Sequence, residues 1–361
     1  MNNNKNLVAN SSKDSNLKNS QEFKTGKKEI SNLEARILST IVLLTLLLIY
    51  VVSGAIYTSL INDWDGAPYF VIISLLGSVF LISISIWEMN RALGLKHWWI
   101  HLITIIFSLI IFVTPVRSEE FLVVTSQSSL KFLEDLHFEW LKPWIFWTIG
   151  AILLMIYLTY GYLNKKSTLI KSLLAFSMTI LIILAYKGFT ILCLSVTETG
   201  KGEFKAFYSF NTVIWIWMII ILTDTFAYLG GMRFGKTKLA PAISPKKTWE
   251  GASIGFLVAF IVGSLYASMF FFLKPTRDFA PLTMTMQQNN STIYVVFSYI
   301  GLSAIFSIIG QFGDLIFSWI KRKVDIKDYS RIIPGHGGVL DRLDSFTFAF
   351  FVVFIITLFI R

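Results

Sequence analysis

Residues 251–273 read Gly-Ala-Ser-Ile-Gly-Phe-Leu-Val-Ala-Phe-Ile-Val-Gly-Ser-Leu-Tyr-Ala-Ser-Met-Phe-Phe-Phe-Leu, with no charged side chain in the run. At about 1.5 Å per residue, a helix of this length crosses the roughly 30 Å of hydrocarbon in a bilayer. Inside lipid every backbone polar group must find its partner within the segment, so such a block has to be a helix. Eight more apolar blocks are present, at about 37–58, 68–87, 98–116, 143–162, 168–190, 209–231, 293–319 and 343–360. The 361-residue chain is 54% hydrophobic and 15% charged, with a mean hydropathy of +0.64. A soluble domain carries about 25% charged residues. The expected fold is therefore an all-α polytopic membrane protein with about nine transmembrane helices.

Residues 1–34 are rich in Asn, Ser and Lys. They have too little apolar surface to offset the entropy of ordering, so they read as a disordered polar tail. The apolar run that follows is longer than a signal-peptide core and reads as a retained first helix. Trp98, Trp99, Trp140, Trp144 and Trp319 lie near block ends, as an interfacial aromatic belt requires. No inverted internal repeat of the transporter kind is visible. The single cysteine, Cys193, lies in an apolar run; it excludes an internal disulfide and a cysteine-based metal cluster, and reads as a small buried side chain.

The net charge of +10 follows the alternation of the loops. With the N-terminus in the cytoplasm, segments 1–36, 88–97, 163–171, 232–250 and 320–342 are inside and hold 23 of the 32 Lys and Arg. The outer segments 59–67, 117–142, 187–208, 274–292 and Arg361 hold nine. Basic loops stay on the cytoplasmic side, so the charge orients the chain and does not call for a nucleic acid. The chain then divides into the tail, N-terminal transmembrane helices over 35–208, and a C-terminal region over 209–361 with cytoplasmic loops 232–250 and 320–342.

Two inner stretches carry chemistry. In the first, Asp224 interrupts the apolar block 209–231. An aspartate deep in a bilayer costs about 2.5–3.5 kcal/mol, so it faces a cavity or a partner, unless it lies near enough to the helix end to reach water. Ser244 and Pro245 suit the N-cap and first position of the next helix. Lys246 and Lys247 serve equally as orientation charges or as an anion site. The second stretch runs from Gly313 to Asp344. On a helix Gln311, Asp314 and Ser318 share a face, and so do Asp341 and Asp344. These carboxylates stand beside Lys321, Arg322, Lys327, Arg331 and Arg342 and repel one another unless compensated. Mg²⁺ takes one or two protein carboxylates together with phosphate and water oxygens. Lys and Arg suit phosphate oxygens, and Pro334-Gly335-His336-Gly337-Gly338 lets backbone approach a ligand closely. The composition thus fits a metal–nucleotide phosphate site; it also fits a solvated basic loop with a glycine turn.

Residues 318–344 resemble the signature of the phosphatidate cytidylyltransferases, the CDP-diacylglycerol synthases. The shared positions are Ser318, Lys321, Arg322, Lys327, Asp328, Ser330, Pro334, His336, Gly337, Gly338, Asp341, Arg342 and Asp344. Upstream, Asp224-x-x-Ala227-Tyr228, Ser244 to Gly251 and Gly313-Asp314-Leu315 are also similar, and Trp87-Glu88-x-x-Arg91 weakly so. The resemblance is specific over about residues 209–344. It implies transfer of a cytidylyl group from CTP to phosphatidate, with Mg²⁺ and optionally a second cation. It also implies nine helices, a homodimer and a polar funnel open to the cytosol. Carried over by position, the metal-binding carboxylates are Asp314 and Asp341. Candidates for the catalytic step are Ser318, Lys321, Arg322, Asp344 and Asp224. Candidates for substrate binding are Lys246, Lys247, Lys327, His336, Gly337, Gly338 and Arg342. The expected location is a bacterial plasma membrane, with the site facing the cytoplasm. The rival readings are a transferase acting on another lipid phosphate and an ion-coupled transporter.

Overall fold

The computed structural model describes residues 37–38, 41–42, 44–117, 141–164, 169–198, 203–287, 291–333 and 337–359. The polar tail, Trp140 and His336 lie outside these residues. Among the described residues a long helix stands at each of the nine predicted positions. They are α1 (Leu44–Leu60), α2 (Tyr69–Ala92), α3 (Trp98–Val113), α4 (Pro143–Leu163), α5 (Leu169–Leu194), α6 (Asn211–Phe234) and α7 (Trp249–Phe272). After a five-residue helix, α8 (Thr283–Gln287), come α9 (Thr292–Lys323) and α10 (Leu340–Thr357). Helices α2, α4, α5, α6, α7 and α9 are long and apolar enough to cross a membrane. Helices α1 and α3 are apolar but shorter, and α10 opens on Asp341, Arg342 and Asp344. The surface bears large exposed apolar side chains such as Leu76, Trp147, Met155, Leu265 and Phe297. Water would not tolerate so much contiguous apolar surface, and lipid does. The chain is an all-α membrane protein.

Three local readings need correction. Ser244 and Pro245 do not begin a helix. Residues Ser244–Thr248 form strand β4, which pairs antiparallel with β3 (Lys238–Ala240) in the connection between α6 and α7. The N-cap of α7 is Thr248, whose hydroxyl accepts the Gly251 N–H at 3.2 Å. A second hairpin, β1 (Val196–Glu198) with β2 (Phe204–Ala206), follows α5. Helix α5 itself runs beyond the predicted 190, so Lys187 is a helix residue and not part of an outer loop. Its side chain is buried, donates to the Thr114 carbonyl and lies against the Phe146 and Phe354 rings. Helix α9 has 32 residues, about 48 Å at 1.5 Å each, and outlasts the hydrocarbon. Its last turn carries Lys321, Arg322 and Lys323, where positive charge complements the helix dipole.

Packing within the bundle relies on small residues and polar contacts, because burial from lipid offers no hydrophobic drive. The buried face of α7 is Gly251, Gly255, Ala259, Gly263 and Ala267, one residue in every four. This stripe lets α6 and α7 meet backbone to backbone: a Cβ on Gly255 would lie 2.4 Å from the Thr223 carbonyl oxygen. Between other helices, Tyr50 links to Ser78 at 2.8 Å and Thr190 at 2.9 Å. Tyr157 donates to Asn90 at 2.7 Å and meets Thr179 at 2.8 Å. Helix α5, from the first half of the chain, packs along α10 of the second.

The α6–α7 contact makes a prediction. Gly255→Val forces a side chain into backbone and is expected to cost about 1–3 kcal/mol, read as a lower melting temperature in detergent. Leu257→Ala, on the exposed face of the same helix, is the control and leaves the melting temperature near that of the parent.

Candidate active site

A cavity of about 760 Å³ opens where α6 ends, α7 and α10 begin, and α9 approaches its end. It gathers residues that are far apart in sequence. Asp224 and Tyr228 come from α6, Lys238 from β3, Lys246 and Lys247 from β4, and Gln311, Asp314 and Lys321 from α9. Asp328 comes from the connecting loop, and Asp341, Arg342 and Asp344 from the first turn of α10. Its ionisable lining is balanced: the five carboxylates of Asp224, Asp314, Asp328, Asp341 and Asp344 face the five cations of Lys238, Lys246, Lys247, Lys321 and Arg342.

Two lysines neutralise the carboxylates. Lys247 Nζ lies 2.5 Å from Asp314 Oδ2, and Ser318 donates to Asp314 Oδ1 at 3.0 Å. Lys321 Nζ lies 3.1 Å from Asp341 Oδ1 and 3.8 Å from Asp344 Oδ2. The other oxygen of Asp341 accepts the N–H groups of Tyr329 at 2.8 Å and Gly338 at 2.9 Å. Gly337 has φ +88°, a left-handed conformation that favours glycine. Its N–H donates to the Ile333 carbonyl at 3.2 Å. The loop is clamped by Tyr329, whose hydroxyl donates to the Phe317 carbonyl at 3.1 Å and whose ring lies 5.3 Å from Lys321 Nζ. Burial pushes the Tyr329 phenol well above its ordinary range, and the carboxylates of Asp344, Asp341 and Glu88 push it further. It therefore stays a protonated donor.

Most of the expected site residues converge, and some do not. Asp224, Lys246, Lys247, Asp314, Lys321, Asp341, Arg342 and Asp344 line the one cavity. Ser318 is turned to Asp314 instead of the open space. Arg322 donates to the Ile243 carbonyl and the Ile326 carbonyl, both at 3.2 Å, and so ties α9 to the β3–β4 hairpin. Lys327 is exposed and outside the cavity lining. Gly337 and Gly338 give their N–H groups to protein acceptors. Sequence reasoning did not single out Lys238, and gave no site role to Asp328, named only as a signature position, or above all to Glu88. Glu88 is fully buried and bonded to the loop before α10. Its only signal was the short Trp87-Glu88-x-x-Arg91 segment.

Among the described residues no group of three or more His, Cys, Asp or Glu side chains converges to hold a metal ion. Mg²⁺ keeps waters and binds one or two carboxylates plus substrate phosphates, not an all-protein cage. Asp314 and Asp341 both line the cavity, and their carboxylate oxygens are the hard donors such an ion would take.

Fold and site together define a helical membrane protein with a paired-charge cavity at one end of its bundle. Residues 34–360 match the Cytidylyltransferase family, and the chain belongs to it. It is 38% identical over 192 residues to a phosphatidate cytidylyltransferase of Staphylococcus aureus strain COL, a match covering 50% of this chain and 65% of that protein. It is 36% identical over 162 residues to a phosphatidate cytidylyltransferase of Brucella abortus biovar 1 strain 9-941, covering 45% of this chain and 50% of the relative. Each match thus spans less than two thirds of the curated relative's length.

The charge pairing is testable by itself. Lys321→Met leaves Asp341 and Asp344 facing each other without their cation. Breaking a buried ion pair costs roughly 3 kcal/mol or more, so thermal unfolding should show a large loss of stability. Lys323→Met, at an exposed position over the Trp319 ring, should change it little.

Proposed function

We propose that this chain transfers the cytidylyl group of CTP to phosphatidate, giving CDP-diacylglycerol and pyrophosphate. The observation that carries the reading is the meeting of Lys247–Asp314 and Lys321–Asp341–Asp344 in one cavity. Membership of the Cytidylyltransferase family and the two named relatives support it.

The phosphatidate headgroup is already an anionic nucleophile at neutral pH, so no strong general base is needed. One of its oxygens attacks the α-phosphorus of CTP in line. The bond from that phosphorus to the bridging oxygen breaks, and pyrophosphate leaves with the electron pair. The barrier lies in bringing two anions together, so the protein's task is positioning and charge neutralisation. Lys246, Lys247, Lys321 and Arg342 receive phosphate oxygens. Asp224 and Asp344 set the positions of the lysines and the charge of the cavity wall. Asp314 and Asp341 would hold Mg²⁺, which when bound would supply neutralisation of phosphate charge.

The same reading proposes nine membrane crossings with the N-terminus in the cytoplasm, in a bacterial plasma membrane, and a homodimer. Helices α2, α6 and α9 end, and α7 and α10 begin, on the face that carries the cavity. The loops assigned to that face also hold most of the Lys and Arg in the sequence. By the positive-inside rule it is cytoplasmic, which is where CTP is available.

The test is conversion of labelled CTP to CDP-diacylglycerol by the purified protein with phosphatidate and Mg²⁺. Product should require phosphatidate and disappear on chelation. Asp341→Asn should lower kcat roughly 10²–10³-fold, as loss of one charge-stabilising group does. Lys246→Ala should raise the KM for CTP or for phosphatidate. A folded sample that makes no product overturns the reading and moves the search to other lipid phosphates.

A further inference from the structure

Glu88 closes α2 on the cavity's side of the bundle and is fully buried. Its Oε1 accepts the Ser330 hydroxyl at 2.6 Å and the Val339 N–H at 2.9 Å; Oε2 accepts the Leu340 N–H at 2.7 Å. These donors are 242 to 252 residues away in sequence. The first N–H groups of a helix have no partner within it. At α10 the N-cap position is Val339, which makes no side-chain cap. Glu88 supplies that cap from another helix, and places its negative charge at the positive end of the α10 dipole. A buried carboxylate is costly unless hydrogen bonded, and three donors meet that need. Gly338 makes the room: a Cβ there would lie 2.7 Å from both Glu88 oxygens.

The turn held in this way carries Asp341 and Asp344, both drawn to Lys321. The adjacent Gly338 N–H donates to Asp341. Glu88 itself is not part of the cavity lining. We propose that Glu88 is a positioning residue: its carboxylate caps the first turn of α10 and so fixes where Asp341 and Asp344 stand in the cavity. Its catalytic consequence rests on the function proposed above; its structural consequence does not.

Glu88→Gln keeps the size of the side chain but places an amide N–H₂ where backbone donors point. Glu88→Asp keeps the charge. Gly338→Ala pushes on the carboxylate from the other side. In the full-length protein, Glu88→Gln should lower kcat roughly 10–100-fold, the scale of a misplacement of about 1 Å. The KM for CTP should stay within about threefold, and Glu88→Asp should recover part of the rate. Amide hydrogen exchange over residues 337–345 should accelerate in Glu88→Gln and Gly338→Ala, with α4 and α7 unchanged. Unchanged exchange in that peptide overturns the proposal. So does a lower melting temperature with normal turnover per folded molecule. Absence of product from the parent protein would sink the proposed function alone, since the exchange measurement still decides for Glu88.

Discussion

The carboxylates of Asp314, Asp341 and Asp344 stand where an apolar bundle gives way to water, and without compensation they would drive its ends apart. Lys247 and Lys321 prevent this, and each does so across a boundary between elements. Lys247 brings the β3–β4 hairpin onto α9, and Lys321 brings α9 onto the first turn of α10. A buried ion pair is poor evidence of net stability, because desolvation offsets much of its attraction. Removing one partner is still costly. The pairs therefore act as register marks: they make any other arrangement of these three elements worse.

The bundle must already be close-packed for the marks to meet. The small-residue stripe of α7 sets the approach of α6, and so the distance from Asp224 to the hairpin lysines. The length of α9 does the rest. Asp314 and Lys321 are seven residues apart, two turns of one helix face, or about 10 Å along the axis. One helix thus lays out both ion pairs as successive stations along a single face.

The sequence made the bundle legible because membrane insertion is a local property: each apolar block must be a helix wherever its neighbours lie. The lining of the cavity was also largely readable, since acidic, basic and glycine residues at close spacing have few other uses. Local reading failed where a distant partner decides the matter. Ser244-Pro245 looks like a helix start, yet these residues pair with β3, and Thr248 caps α7. Arg322 stands in sequence among cations suited to phosphate and spends its guanidinium on backbone carbonyls. Lys187 counted as a loop charge and is packed between aromatic rings. Glu88 had no visible role, because its partners are the backbone N–H groups of residues at the other end of the chain.

The balance of charge in the cavity constrains the chemistry further. Five carboxylates against five cations balance the lining by formal count. Such a surface offers little net attraction to a triphosphate, and less to a triphosphate meeting a second phosphate. A site evolved only to hold anions would carry an excess of Lys and Arg. Here the carboxylates of Asp314, Asp341 and Asp344 engage Lys247 and Lys321. The pairing of Lys247 and Lys321 with aspartates also couples the elements: a group that drew either lysine away would leave an aspartate of α9 or of the first turn of α10 without its cation.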